Sequence, residues 1–495
     1  MIGKRHQLPI TSHQSPITSH HPVFTYLLKR ILLFVPTLVL VSLLSFGLSR
    51  LAPGDPVSQY LGEDVFGKTS RPNDLTAAEN GYAQAAATLH LDKPTFYFSI
   101  VPQAYPDTLH RVLIGFRRGT LDKLIGQYGN WPQVEAWYNG IRSFDLKLLG
   151  LPDSLRAAAT PIKQPLRELY LSYLDGAITA RLDEMEAAFG NSPALAAALS
   201  TDFFALKKSH ESMKAEATPG RLWLPGLHWY GLDNQYHTWF MGILQGDFGM
   251  SLHERQPVTN KLRPALFWTL MVSLPAIVLA FLLAVPLGAW AAVKRGKLFD
   301  KITSTGLFML YSLPVFWVGT MLLIFFTNRE YGMNIFPGPG LGNIPTAAPW
   351  WMQVWLASPH LLLPIFCVAY PSLAYISRQA RGGMANVLGQ DYIRTARAKG
   401  LPERTVIWKH VFRNALFPLI TLFASVLPAA IAGSAVVEVI FNIPGMGWLT
   451  LNAIFQKDWP IVFSVLMLGA VLTMLGMLLS DVLYALTDPR VKLGG

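Results

Sequence analysis

The 495-residue sequence is short of charge. Asp, Glu, Lys and Arg make up 14% of it, where a soluble domain carries roughly 25%. Hydrophobic residues make up 51%, and mean hydropathy is +0.32. A disordered chain is charge-rich and apolar-poor, so disorder is excluded for most of the length. Cys367 is the single cysteine, which excludes a disulfide scaffold. Several catalytic signatures are also missing. There is no G-x-x-x-x-G-K-[ST] phosphate cradle, no H-E-x-x-H, no G-x-S-x-G and no C-x-x-C. The chain therefore lacks the nucleotide site of an ATPase. A membrane-anchored outer enzyme or receptor stays open as an alternative, because carboxylate pairs leave no sequence signature.

What is present is an uneven charge distribution. Residues 52–267 hold 20 Lys+Arg and 22 Asp+Glu, a net of −2. The chain as a whole is +11, so the remainder carries +13. A soluble nucleic-acid binder would not be charge-poor elsewhere, so no nucleic-acid partner is expected. The composition is that of an integral membrane protein.

A spanning helix needs about 20 apolar residues. Six runs qualify: 31–48, 264–293, 302–328, 360–377, 414–437 and 459–480. Several contain proline, which spanning helices tolerate when neighbours satisfy the freed carbonyls. Short-loop Lys and Arg fall on one side: Lys29 and Arg30, then Lys294, Arg295, Lys297 and Lys301, then the dense run from Arg378 to Arg413, then Arg490 and Lys492. The positive-inside bias makes that side cytoplasmic, with both termini there. The first run is expected to be an uncleaved anchor. The fold class is thus all-α and polytopic, with six transmembrane helices and a mainly helical outer region. The expected segments are a disordered cytoplasmic tail (1–24), the first span (25–50), an extracytoplasmic region (51–265), a core of spans two to six (266–487) and a short cytoplasmic tail (488–495).

In the outer region, Ala and Leu recur with helical period around 166–189 and 193–207. The acidic cluster Asp183, Glu184 and Glu186 suits a solvated helix face better than a metal patch. Trp223, Trp229, Tyr230, Tyr236, Trp239 and Phe240 suggest an aromatic belt at headgroup level. A carbohydrate- or peptide-binding groove is the alternative.

The cytoplasmic loop at 378–415 carries the most information. Tyr392 to Lys399 is built of helix formers with basic residues in its last turn, where they suit the helix dipole. Gly400 can take the left-handed conformation that ends a helix. Pro402 suits the first turn of the next helix, and Glu403 sits where an anion is stabilised. The pattern predicts helix, sharp turn and a second helix through Val406, His410 and Arg413 into the fifth span. A short helix across a membrane face can dock in a groove on a soluble partner; an ordinary basic loop at lipid headgroups is the rival.

The wording of this loop resembles the coupling loop of ABC-importer permeases, and specifically the oligopeptide/dipeptide/nickel permease family. The matching residues are Tyr392, Arg394, Thr395, Ala396, Arg397, Ala398, Lys399, Gly400, Leu401 and Pro402, followed by Arg413, Asn414 and Pro418. Arg394 stands where the general motif has an acid. Other strings agree in order: Pro53-Gly54-Asp55-Pro56, then Gly246-Asp247-Phe-Gly249-Met-Ser251, then Ser312-Leu-Pro314-Val-Phe316. Next come Glu438, Phe441, Pro444, Gly445 and Gly447, and finally Asp481, Tyr484 and Asp488-Pro489-Arg490.

The resemblance implies a first-type permease subunit of a bacterial inner-membrane importer. It implies a second permease subunit, two cytoplasmic ATPases that use ATP and Mg, and an outer substrate-binding protein. No cofactor is expected on this chain. Ser312, Pro314 and Phe316 are candidates for the path. Residues of about 93–230 are expected to be an insert beyond the family pattern. An ion-driven secondary transporter is the remaining rival.

Overall fold

The computed structural model describes residues 21–62, 72–190, 192–345, 347–415, 419, 422, 423, 426 and 433–487. It separates into two compact units. One comprises the described residues up to Ser45, Leu262–Asn452 and those from Val465 onward; the other comprises Phe46–Lys261 and Ala453–Ser464.

The long helices of the first unit are rich in apolar residues, as helices solvated by lipid are. Among the described residues, Arg30–Leu51, Thr259–Val293, Trp350–Leu388 and Trp459–Leu479 are each long and apolar enough to span a bilayer. The third expected run is not one straight helix. Leu298–Ser312 and Val315–Thr327 meet at 94°. The break follows from Pro314: the preceding residue, Leu313, is driven into extended conformation (φ −79, ψ 128). Counting that pair as one span gives five. Most of the run expected at 414–437 lies outside the described residues.

Thr259–Val293 meets Trp350–Leu388 closely at Gly288, on a stripe of small residues. Ala276, Ala280, Ala284, Gly288 and Ala292 recur every fourth position, and all are buried. Such spacing lets two backbones approach where lipid supplies no hydrophobic drive. The approach is closest at Gly288: a Cβ there would lie 2.8 Å from Ala380 Cβ and 3.1 Å from Arg381 N.

The second unit is a water-type helical body. Gly115–Tyr128, Trp131–Leu149, Thr160–Leu169, Asp175–Gly190 and Pro193–Ala215 enclose a core of Trp137, Phe144, Ile162, Leu166, Met185 and Phe203. The helical pattern at 166–189 is two helices, broken between Leu169 and Asp175. Glu184 pairs with Arg181 at 2.5 Å and Glu186 with Lys207 at 2.6 Å, so these carboxylates sit in surface ion pairs. Phe98–Pro102 and Pro225–Trp229 form a two-stranded antiparallel ribbon. Glu79 holds Arg117 at 2.7 Å and Arg142 at 2.8 Å, and the Arg117 guanidinium lies 4.5 Å over the Tyr170 ring.

Two outcomes follow. Gly288→Val should force the seam apart and lower the melting temperature of the purified protein by an overpacking cost of about 1–3 kcal/mol or more. Gly306→Val, where a side chain meets nothing within 4 Å, should not. The second concerns acid. Burial alone would raise the Glu79 carboxyl, but the hydrogen bonds from Arg142 and Arg117 outweigh it and hold the group below its ordinary value. A carboxyl lowered in the folded state contributes stability above its unfolded pKa of about 4.3, and loses it as pH falls through the folded value. Glu79→Gln should therefore lower melting temperature near neutrality and weaken its dependence on acid pH.

Candidate functional site

Three constellations collect the motif residues. The first is the loop after Trp350–Leu388. Asp391–Ala398 is a helix entered from extended Gln390. Gly400 turns the chain at φ +74. That conformation suits glycine because it has no Cβ, although space is open around it. Pro402 is extended and precedes the short Glu403–Thr405 helix. Arg397 and Glu403 clasp the turn at 2.6 and 3.1 Å.

The second arm departs from the expected helix. Val406–Phe412 is π-helical before Arg413–Ala415 resumes α geometry. Hydrogen bonding from i to i+5 puts residues five apart on one face, and Val406 and Val411 are both fully buried. With Ile393, Ile407 and Ala415 they form a hydrophobic foot against Ala289, Ala292 and Met384, and Ala396 packs beside it. Tyr392, Arg394, Lys399, Leu401, Pro402 and Trp408 are exposed. Asn414 Nδ2 donates to the Tyr392 hydroxyl at 3.2 Å and to His410 O at 2.9 Å. Thr395 Oγ1 donates to Asp391 O at 3.0 Å. Arg413 and Ala398 are exposed. Pro418 lies outside the described residues.

The second constellation centres on Glu438. Glu438 is 2% exposed. Thr269 Oγ1 donates to Oε1 at 2.8 Å and Trp448 N to Oε2 at 2.9 Å. Met446 N donates in turn to Thr269 Oγ1 at 2.8 Å. The glycines explain the motif. A Cβ on Gly445 would collide with the Glu438 carboxylate, and one on Gly447 would lie 2.7 Å from Ala435 N. Phe441 and Ile443 are buried beside them, and Pro444 carries the chain between. The string from Glu438 to Gly447 is a carboxylate knot, whose period the sequence alone does not display.

The third lies in the other unit. Asp55 caps Pro56–Leu61, accepting from Val57 N at 3.2 Å and Ser58 N at 3.3 Å, and from the Tyr82 hydroxyl at 2.9 Å. Gly54, at φ +110, sets up this cap. Asp247 Oδ1 accepts from Gly249 N at 2.9 Å inside a turn whose two glycines, Gly246 and Gly249, have φ of +81 and +80. Ser251 Oγ hydrogen-bonds buried Asp458, which also accepts from Leu252 N at 3.1 Å. Pro53, Gly54 and Pro56 and the Asp247–Met250 turn line one cleft of about 600 Å³, together with Trp239 and Trp459. The two strings, almost 200 residues apart, thus share a wall.

The remaining motif residues are scattered. Asp481 accepts from Arg30 Nε at 2.7 Å, pairing the first and last helices among the described residues. Ser312 and Phe316 are exposed on either side of the break at Pro314. Tyr484 lies within Trp459–Thr487; Asp488, Pro489 and Arg490 are outside the described residues. The sequence reading missed Asp300. It is buried and bound by Arg381 at 2.7 and 2.9 Å and by Gly296 N at 2.9 Å. The available signal was a lone carboxylate in the run Lys294, Arg295, Lys297 and Lys301.

The carboxylate knot generates a direct test. Gly445→Ala should reduce folded yield in the membrane, because Glu438 must leave its Thr269 and Trp448 donors. An unpartnered buried charge of this kind costs about 3–5 kcal/mol. The readouts are fluorescence-detected size exclusion and melting temperature of the purified protein; unchanged behaviour in both would refute the knot.

Comparison with known proteins follows this geometry. The family model described as "Binding-protein-dependent transport system inner membrane component" matches residues 284–493. The chain is 37% identical over 268 residues to the oligopeptide transport system permease protein AppB of Bacillus subtilis, covering 53% of this chain and 83% of that protein. It is 35% identical over 288 residues to the dipeptide transport system permease protein DppB of Escherichia coli K12, with the same coverage. OppB of Mycobacterium bovis, an oligopeptide transport system permease protein, is 35% identical over 271 residues, 83% of its length. On identity and coverage of this order, the chain belongs to the ABC-transporter permease family that contains these oligopeptide and dipeptide proteins.

Proposed function

We propose that this chain is a pore-forming subunit of an ATP-driven peptide importer in a bacterial inner membrane, and that residues 391–418 couple it to cytoplasmic ATPases. It forms the path with a second, homologous permease subunit. Two ATPase subunits hold the ATP and Mg, and an outer binding protein delivers the substrate. Six spans place both termini in the cytoplasm, and residues of about 93–230 are an outer addition to the family plan.

The observation that carries this reading is the two-faced loop. Ile393, Val406 and Val411 are fully buried in the foot, while Tyr392, Leu401 and Trp408 are exposed large apolar side chains. Arg394 and Lys399 lie among them, also exposed. One face is anchored to spanning helices, and the other offers aromatic, aliphatic and basic groups. That combination suits a groove on a soluble partner and is more than a basic loop needs for lipid headgroups. ATPase closure would pull on the foot and shift the path between two accessible states.

The test is Gly400→Trp. A side chain at φ +74 is strained whatever the space around it, so the turn between the two arms must change. The variant should insert normally, fail to co-purify the ATPase and lose uptake. Normal co-purification would sink the coupling assignment. Uptake that survives ATP depletion and follows an ion gradient would favour a secondary transporter.

A further inference from the structure

The two-stranded ribbon of the second unit has a face that its own unit does not cover. Phe98 pairs with Trp229 and Ile100 with Leu227, and because side chains alternate along strands these four share a face. Ile100 and Leu227 are each 69% exposed and Trp229 73%; neighbouring Trp223 is 88% exposed. The opposite face carries Ser99, Val101, Gly226 and His228, and Ser99 Oγ lies 3.0 Å from the Tyr230 hydroxyl. Exposed apolar area of this size marks an interaction surface.

Two features say what covers it. The first is charge. Neither 94–106 nor 222–232 contains an Asp, Glu, Lys or Arg. Charged residues begin at the edges, with the Lys93–Asp233 ion pair at 2.8 Å, Asp107 and Arg221. The second is continuity. Ring contacts run from Phe46, near the end of the apolar Arg30–Leu51 helix, to Tyr236 at 5.3 Å, on to Phe96 at 5.3 Å, to Phe98 at 5.6 Å, and to Trp229 at 6.5 Å. The exposed face is thus joined by an unbroken aromatic chain to the end of an apolar helix long enough to span a bilayer.

We propose that the Phe98–Pro102 and Pro225–Trp229 ribbon is a membrane-surface paddle, its Phe98, Ile100, Leu227 and Trp229 face resting in the headgroup and upper acyl region of the bilayer. Tryptophan favours that depth. Insertion is shallow, about 5–10 Å as for other amphipathic surface elements. Both strands are edges, and their outward N–H and C=O groups need water or headgroups, which the hydrocarbon core lacks. The paddle refines the expected aromatic belt: Trp223 and Trp229 are outward, whereas Tyr236 is buried as the connecting ring.

The test uses the chain's single, fully buried cysteine, Cys367, which leaves the background unlabelled. Ile100→Cys, Leu227→Cys and, as a solvent-facing control, Lys208→Cys are spin-labelled in the full chain. The chain is placed in nanodiscs of phosphatidylethanolamine and phosphatidylglycerol. The replaced side chains are exposed, so folding is preserved, checked by size exclusion. Labels at 100 and 227 should collide preferentially with dissolved oxygen and be several-fold less accessible to an aqueous nickel chelate than the label at 208. Equal aqueous access at all three overturns the paddle. So does protection at 100 and 227 that arises only when a soluble partner protein is added, which assigns the face to protein docking.

Discussion

A carboxylate away from water must be given donors, and those donors must come close. Most of the ordered motif geometry in this protein answers that demand. Glu438 takes Thr269 and the amide of Trp448; Asp300 takes Arg381 and the amide of Gly296; Asp481 takes Arg30; Asp458 takes Ser251 and the amide of Leu252. Isolated ionised carboxylates are prohibitively costly in apolar surroundings, so each one fixes the segments that serve it. The glycines at 445 and 447 exist in the same account: they are the places where a side chain would occupy the space the carboxylate or the neighbouring backbone needs.

That dependence explains what was legible in the sequence. Spans could be read because lipid imposes length and apolarity on a run of residues. The first and last spans and the two long central helices accordingly appear where hydropathy places them. The turn at Gly400 was legible because a local rule, glycine at positive φ after a helix, governs it. Long-range pairings have no such rule. Nothing in the spacing of Ser251 and Asp458, or of Thr269 and Glu438, announces a hydrogen bond. The 94° break at Pro314 was masked by the tolerance of spanning helices for proline, since seven other prolines lie inside the long helices at positions 36, 264, 275, 286, 359, 364 and 371 without such a break. The π-helical arm at Val406–Phe412 has no composition cue at all.

The charge deficit of the chain has two physical origins. In the first unit, charge is scarce along the apolar helices, and its buried carboxylates, Asp300 and Glu438, are hydrogen-bonded. The second unit carries ordinary surface ion pairs around an apolar core, as a water-facing body does. Its uncharged ribbon is therefore an exception within its own unit, and it is the piece whose composition matches lipid rather than water.

One helix links the two conspicuous sites of the first unit. Thr259–Val293 supplies Thr269 to the Glu438 knot, Gly288 to the tight seam, and Ala289 and Ala292 to the foot beneath the 391–415 loop. From Thr269 to Ala292 is 23 residues, about 35 Å at 1.5 Å per residue. Its partner Trp350–Leu388 supplies Met384 to the foot and Ala380 and Arg381 to the seam, and Arg381 in turn binds Asp300. Displacement of the foot would bear on both helices, because at Gly288 their backbones already touch near Ala380 and Arg381. The knot at the far end, held by short hydrogen bonds and close glycines, would receive that displacement as a choice between intact and broken geometry rather than as a gradual strain. Packed interiors of this kind respond in discrete steps rather than by gradual deformation.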